Sequence, residues 1–414
     1  MRRLLFIFSF LSLLVVDGKA QEVETLTLED CLRIGIDNNL SLEGKRKEIQ
    51  KSKYGVSENR SKLLPQITVI AGYNNNFDPP VSVTDGSSYG VPYNITKTLQ
   101  HTANAGLEMQ MPLFNQTLYT SMSIAKVMEE ISRLSYGKAR EDIIMQISKM
   151  YYLGQVTAEQ IVLIKANITR LEELRDITQA FFDNGMSMEV DLKRVNINLE
   201  NLKVQYDNAQ AMMKQQLNML KYIMDYPAEK EFVLTPVNTD SITTVALTGL
   251  SENIYELQLS QSQVQLAEKQ KKIISNGYIP SLSLTGSWRY AAYTDKGYHW
   301  FHSGPSNHWF RSYGLGLTLR IPIFDGLDKT YKIKKAMIDI ENSKLAWENA
   351  RKSLQTQYLN AVNDLMNNQR NFKKQKDNYL LAEDVYTVTS DRYREGIASM
   401  TEVLQDEMQM SEAQ

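Results

Sequence analysis

Cysteine, histidine and proline are scarce in this chain of 414 residues, and each scarcity closes off a class of function. A single cysteine, Cys31, leaves no disulfide framework and no cysteine metal cluster. Four histidines are little material for a metalloenzyme, and a formal charge of −2 offers no basic excess to a nucleic acid. Beyond Val16 there is no long apolar run, so any membrane crossing has to be made by strands and not by helices. No glycine-rich phosphate loop, nucleophile elbow or catalytic carboxylate pair interrupts the sequence. What is present, 43% apolar and 23% charged residues, is the make-up of a folded protein.

The first twenty residues set the compartment. Arg2 and Arg3 precede an apolar run from Leu4 to Val16, and small Gly18 and Ala20 follow, the pattern of a secretory signal peptide cleaved after Ala20. Acidic Glu29 and Asp30 stand before Cys31, well past that run, which favours a buried structural thiol over a lipid anchor.

Proline placement exposes a repeat. None of the ten prolines lies between 113 and 226 or after 322, so two tracts are free to be very long helices. Leu64-Pro65-Gln66 is matched by Ile279-Pro280-Ser281, Met111-Pro112-Leu113-Phe114-Asn115 by Ile321-Pro322-Ile323-Phe324-Asp325, and Phe182-Asp183-Asn184-Gly185 by Tyr393-Arg394-Glu395-Gly396, at offsets between 210 and 215 residues. An internal duplication follows. It divides the chain into a signal peptide at 1–20, a first repeat at 21–226, a connector at 227–250 and a second repeat at 251–414.

Each repeat holds two strand-like runs of roughly ten residues, the length of a tilted transmembrane strand. Thr102, Asn104, Gly106, Glu108 and Gln110 alternate with Ala103, Ala105, Leu107, Met109 and Met111. The same pattern runs from Ser281 to Tyr290 and from Ser312 to Ile321, and less cleanly through Ile67, Val69, Ala71 and Tyr73. A soluble sheet with one wet face would alternate likewise; the signal peptide and the aromatic ends at Tyr73, Phe77, Trp288, Tyr290 and Tyr293 favour the membrane. Four strands cannot close a barrel in lipid, so several chains must combine. On the polar face Glu108, Arg289 and Arg320 are placed to line a lumen.

Asn115 and Asp325 are expected to cap the two long helices, which run to Phe182 and Tyr393 and at about 1.5 Å per residue reach roughly 100 Å. After the first reversal, Leu192, Val195, Leu199, Leu202, Tyr206, Ala209 and Met213 are spaced three and four apart as a coiled-coil seam. Shorter helices fit Leu28 to Leu63 and Ser251 to Asn276, and an irregular connector fits Pro227 to Leu250.

A signal peptide, a short helix, a strand pair, a long helical hairpin, a connector and then the same again make a chain that resembles the TolC-type outer-membrane efflux proteins over essentially all of its mature length. The most specific parts of the resemblance are the paired proline-to-strand junctions, the Ile321-Pro322-Ile323-Phe324-Asp325-Gly326 turn, and two reversal motifs. These run from Phe182-Asp183-Asn184-Gly185 to Asp191-Leu192, and from Tyr393-Arg394-Glu395-Gly396 to Glu402-Val403-Leu404. The resemblance implies a mostly α fold with a small membrane β part. Four strands per chain would complete a twelve-stranded barrel in a homotrimer, continued by a long periplasmic α-helical coiled-coil barrel. It implies an exit duct in outer-membrane lipid for tripartite efflux or type I secretion. The partners would be a periplasmic membrane-fusion adaptor and an inner-membrane transporter of RND, ABC or MFS type, without nucleic acid, cofactor, metal or catalytic site.

Two sites carry over. Adaptor-docking tips fall on Gly185, Met186, Ser187, Gly396, Ile397 and Ala398; the two glycines also read as ordinary helix C-terminal residues in the left-handed region. A closed periplasmic aperture falls on Asp191, Glu402 and Tyr393, whose carboxylates in three copies would repel one another and favour cations; the bland alternative is solvated helix-start carboxylates. The family's arginine and second acidic positions are here Ala398 and Gln405, which removes its usual locking partners. His299, His302 and His308 among Trp300, Phe301, Trp309 and Phe310 are expected to form an exposed aromatic loop and not a metal site. The residues from Ser399 to Gln414 are fewer than those from Ser187 to Tyr226 in the first repeat, so a truncated second helix is expected. A periplasmic coiled-coil scaffold or adhesin without a pore, and an envelope hydrolase, are the competing readings.

Overall fold

The computed structural model describes residues 24–97, 99–237, 249, 251, 253–294 and 309–414. Its chain forms two compact units, one of Met1–Leu42, Arg140–Leu247 and Asn363–Gln414, the other of Glu43–Ala139 and Thr248–Val362.

The second unit holds an antiparallel sheet in the order β2 (Gln66–Asn75), β5 (His101–Phe114), β7 (Ser281–Thr294), β8 (Trp309–Arg320). Its register sorts the side chains onto two faces. Val69 lies opposite Leu107, Leu107 opposite Trp288 and Trp288 opposite Tyr313, while Met111, Leu284 and Leu317 make another row of the same face. The other face carries the rows Thr68, Glu108, Ser287, Gly314 and Gln66, Gln110, Thr285, Gly316. Because side chains alternate with a period of two, a slip of one residue in any pair would reverse these faces. The apolar side chains Ile67, Val69, Tyr313, Leu315, Leu317 and Leu319 are exposed in the single chain. Among the described residues β2 and β8 each pair on one side only.

β5 continues through Pro112, where the register shifts before Phe114, because proline has no N–H to give to the ladder. Two further strands that the alternation did not announce, β3 (Val81–Asp85) and β4 (Tyr93–Lys97), follow β2 in the chain and pair antiparallel with each other as a separate two-stranded sheet. Asn115 caps the helix that follows, α3 (Gln116–Asp183, 68 residues), its Oδ1 accepting from the Thr117 and Leu118 amides. In the second repeat Gly326 and Leu327 both have positive φ, which delays α6 (Asp328–Arg394) to Asp328, with Asp325 accepting from the Lys329 amide at 3.2 Å.

In the first unit, α1 (Leu28–Asn38) opens with a capping box between Thr27 and Asp30. Where a single helix from Leu28 to Leu63 was expected, Asn39 divides it. Its amide nitrogen donates to the Ile223 carbonyl at 2.8 Å while its oxygen accepts from Leu42, starting α2 (Leu40–Ser61) afresh. Part of the expected irregular connector forms β6 (Phe232–Leu234), which pairs in parallel with β1 (Glu24–Leu26). These strands cover a core of Leu26, Cys31, Ile147, Tyr151, Leu220, Ile223 and Met224. Cys31 is fully buried, and burial pushes its thiol up to about 12. Maleimide at neutral pH is therefore expected to leave Cys31 unlabelled in the folded protein and to label it fully in denaturant, a contrast read by intact mass.

A second core lies where both repeats reverse. It joins Leu171 and Leu174 of α3, Val195 and Leu199 of α4 (Glu189–Met224), Tyr393 of α6, and Met400, Val403 and Leu404 of α7 (Met400–Ala413). Seam positions Val195, Leu199 and Ala209 are buried, as a spacing of three and four requires. α5 (Tyr255–Asn276) completes the helices, and no described helix is long and apolar enough to cross a membrane.

Candidate functional site

The two reversals share one geometry. Gly185 and Gly396 have φ of 73° and 76°, a region open to glycine at no steric cost. Gly185 donates to the Phe182 carbonyl at 2.9 Å and Met186 to Phe181 at 2.8 Å; Gly396 donates to Tyr393 at 2.9 Å and Ile397 to Arg392 at 2.8 Å. This double bond pattern closes a helix with a left-handed residue, and in each case it pushes the next side chain outward. Met186 is 68% and Ile397 63% exposed. Ser187 and Ala398 are half-buried behind them.

Just beyond the turns the repeats meet. Asp191, with 18% of its side chain exposed, pairs with Arg194 at 3.5 Å, and the same Arg194 nitrogen donates to Thr401 of α7 at 3.1 Å. Tyr393 is buried, its hydroxyl donating to Thr178 Oγ1 of α3 at 3.4 Å and its ring 5.6 Å from Phe181. The Arg194–Thr401 and Tyr393–Thr178 links each join a first-repeat helix to a second-repeat helix. Arg194 had no signal in the sequence beyond its place one turn after Asp191, since its partner Thr401 comes from the other repeat.

Glu402 is held differently. Its carboxylate accepts from the Ser399 amide at 2.8 Å while Ser399 Oγ accepts from the Glu402 amide, a capping box that opens α7. The Ser399 backbone hydrogen bond keeps the Glu402 carboxyl below its ordinary value. A depressed carboxyl contributes stability above its unfolded value and loses it as pH falls through the folded one, so this cap stays intact at neutral pH and weakens only in acid. Ser399→Ala is expected to cost about 1 kcal/mol of local helix stability, read as faster amide exchange over the first turn of α7.

In the other unit, Arg289 forms an ion pair with Glu108 of the neighbouring strand. Its register partner is Gly106, where an added Cβ would lie 2.4 Å from the Trp288 carbonyl oxygen, so glycine is what lets the strands come together beneath the pair. Arg320 stands apart, opposite Ser281 at the helical end of β8. His299, His302 and His308 lie outside the described residues, and among the described residues no cluster of three His, Cys, Asp or Glu could hold a metal ion.

Known proteins share this fold. A family model described as outer membrane efflux protein matches residues 34–224 and 238–414. The outer membrane protein TolC of Vibrio cholerae is 21% identical over 316 residues, a match covering 75% of this chain and 66% of that protein. The chain thus spans just under two thirds of the length of that curated relative. Two solved structures share the fold. The outer membrane protein VceC of Vibrio cholerae has a TM-score of 0.73 at 14% identity, over 93% of this chain and 90% of that one. The MtrE outer membrane channel of Neisseria gonorrhoeae has a TM-score of 0.71 at 18% identity, over 93% of this chain and 83% of that one.

Proposed function

The chain belongs to the outer membrane efflux protein family, and from that membership we propose that three copies form an outer-membrane channel continuing into the periplasm, the passive exit duct of a tripartite efflux or type I secretion system. The observation that carries this reading is the four-stranded sheet, apolar over one face except at Arg311 near its aromatic end and unpaired at both edges among the described residues. Each unpaired backbone group facing hydrocarbon costs several kcal/mol, so such a sheet cannot stand alone in a bilayer. Joining β8 of one copy to β2 of the next satisfies both edges, and three copies supply twelve strands, above the eight of the smallest single-chain barrels.

In that barrel the apolar face meets lipid and the polar face lines the lumen. Glu108 and Arg289 neutralise one another there, so among the described residues of the four strands Arg320 is the uncompensated charge on each chain's lumen face. At the two reversals, the left-handed glycines present Met186 and Ile397 as apolar knobs beside Ser187 and Ala398, a surface suited to a periplasmic membrane-fusion adaptor that links the duct to an inner-membrane transporter of RND, ABC or MFS type. Asp191, Tyr393 and Glu402 form the periplasmic aperture. Its lock in this chain is the Arg194 bridge from Asp191 to Thr401 together with the Tyr393–Thr178 hydrogen bond. Cargo is selected by the transporter, and the duct works without a catalytic site.

Native mass spectrometry of detergent-purified protein tests the assembly. A trimer is expected; a monomer or extended oligomer that stays soluble without detergent would instead fit the periplasmic coiled-coil scaffold.

A further inference from the structure

The buried stripe of α7 is apolar at Met400, Val403, Leu404 and Met410, but Glu407 occupies a position within it. Spaced three and four from its neighbours, Glu407 sits in the helical seam, where an apolar residue is the rule. It is 5% exposed, and its Oε1 is buried without a hydrogen-bond partner. From α3 comes Arg170, whose Nη2 donates to Asn167 Oδ1 and whose Nε is also buried without a partner. Asn167, itself buried, donates in turn to Ser411 of α7 at 3.1 Å. From α6 come Tyr386 and Ser390, and α4 adds the apolar Val195 and Leu199 to the adjoining core. Arg170 is the one charged side chain acting on Glu407 among the described residues; Tyr386 is the other titratable group in the space, and Arg394 acts on Tyr386.

An ionised carboxylate with an unpaired oxygen in a buried seam is far more costly than the neutral acid. Arg170 offsets part of that cost, but one guanidinium nitrogen is spent on Asn167 and no hydrogen bond reaches Oε1. Burial therefore wins, pushing the Glu407 carboxyl up while Arg170 pulls it partly back. We propose that Glu407 is a proton-operated switch that sets how firmly α7 docks on α3 and α6, and through α7 the stiffness of the second reversal turn. Glu407 lies seven positions after Met400, the first residue of α7, and Thr401, the acceptor of the Arg194 bridge, lies between them. A docking change at Glu407 is thus passed to the inter-repeat link within two helical turns.

The sign follows from which state holds the proton. A carboxyl raised on docking binds its proton more tightly when docked, so docking is at full strength below the unfolded carboxyl value and weakens as pH rises through the docked value. Each unit of difference corresponds to about tenfold in the docking equilibrium.

Amide exchange over residues 403–411 in the detergent-solubilised full chain, corrected for intrinsic rates, tests the switch between pH 5 and pH 8. Protection in the wild type is expected to be lost progressively as pH rises across that range. Glu407→Gln, neutral and isosteric, is expected to hold the acid-state protection at every pH. Arg170→Gln, in case the first variant folds poorly, removes the opposing cation and is expected to move the loss to higher pH. Wild-type protection that is flat with pH, a Glu407→Gln variant that still loses protection, or an Arg170→Gln shift toward lower pH each overturns the proposal. Exchange reads the switch whether or not the protein conducts, so failure here is separable from failure of the duct reading.

Discussion

Valine in place of Gly106 is expected to stop the four-stranded sheet from assembling. An added Cβ would meet the Trp288 carbonyl oxygen at 2.4 Å and the Arg289 Cα at 2.9 Å. These are backbone atoms of the paired strand, so no rotamer change relieves the contact; β5 and β7 must separate locally. Overpacking costs about 1–3 kcal/mol, and each lost ladder bond adds about 1 kcal/mol. The Glu108–Arg289 pair is lost with them, and the penalty recurs in every copy of an oligomer. Gly314 is the matched control, since it lies on the same polar face and a Cβ there meets nothing within 4 Å. Purified Gly106→Val is expected to give little or no stable trimer on unheated denaturing gels, while Gly314→Val gives wild-type amounts. Equal yields from both would show that strand approach at Gly106 is not limiting.

Opening the aperture is the second large effect expected. Arg194→Ala combined with Tyr393→Phe removes the Thr401 link and the Thr178 link together. A net hydrogen bond of this kind contributes about 1 kcal/mol, which in a single chain would be modest. Three copies around one axis break six such links at once, about 6 kcal/mol if they act together. Inverting a two-state equilibrium from 1:99 to 99:1 takes about 5.5 kcal/mol, so the double variant is expected to pass from mainly closed to mainly open. The readout is a several-fold higher resting conductance with unchanged trimer yield. Conductance equal to wild type would remove Arg194 and Tyr393 from the lock.

Elements set by local pattern were readable from the residues. Strict alternation marked β5, β7 and β8; the proline-free tracts marked α3 and α6; and the repeated glycine turns marked both reversals. The same order of elements, repeated, carried the resemblance to the family whose model the chain matches. Elements set by distant partners were not readable. Phe232–Leu234 is too short to declare itself, and becomes a strand because Glu24–Leu26 lies alongside it. Asn39 looks like any helical asparagine until Ile223 offers its carbonyl from the far end of α4. β3 and β4 are five residues each and stand among Pro79, Pro80, Gly86, Gly90 and Pro92, too short and too interrupted for an alternation to show.

The tip residues show the same division. Gly185 and Gly396 announce turns through their own backbone, and Ser399 with Glu402 spells a capping box in consecutive sequence. Arg194 and Thr401 are 207 positions apart, and Arg170 and Glu407 come from different repeats, so neither pairing leaves a trace in local sequence. The resemblance therefore pointed to Asp191, Tyr393 and Glu402 but not to Arg194, which pairs with the first, nor to Glu407, buried five positions after the last.

Planar-bilayer recording of the detergent-purified chain tests the central claim most directly. The account predicts stable single-channel steps that are cation-selective at the acidic aperture, decrease when trivalent cations are added on the periplasmic side, and lose that block in Asp191→Ala with Glu402→Ala. No conductance from protein that is folded and remains soluble without detergent would contradict it.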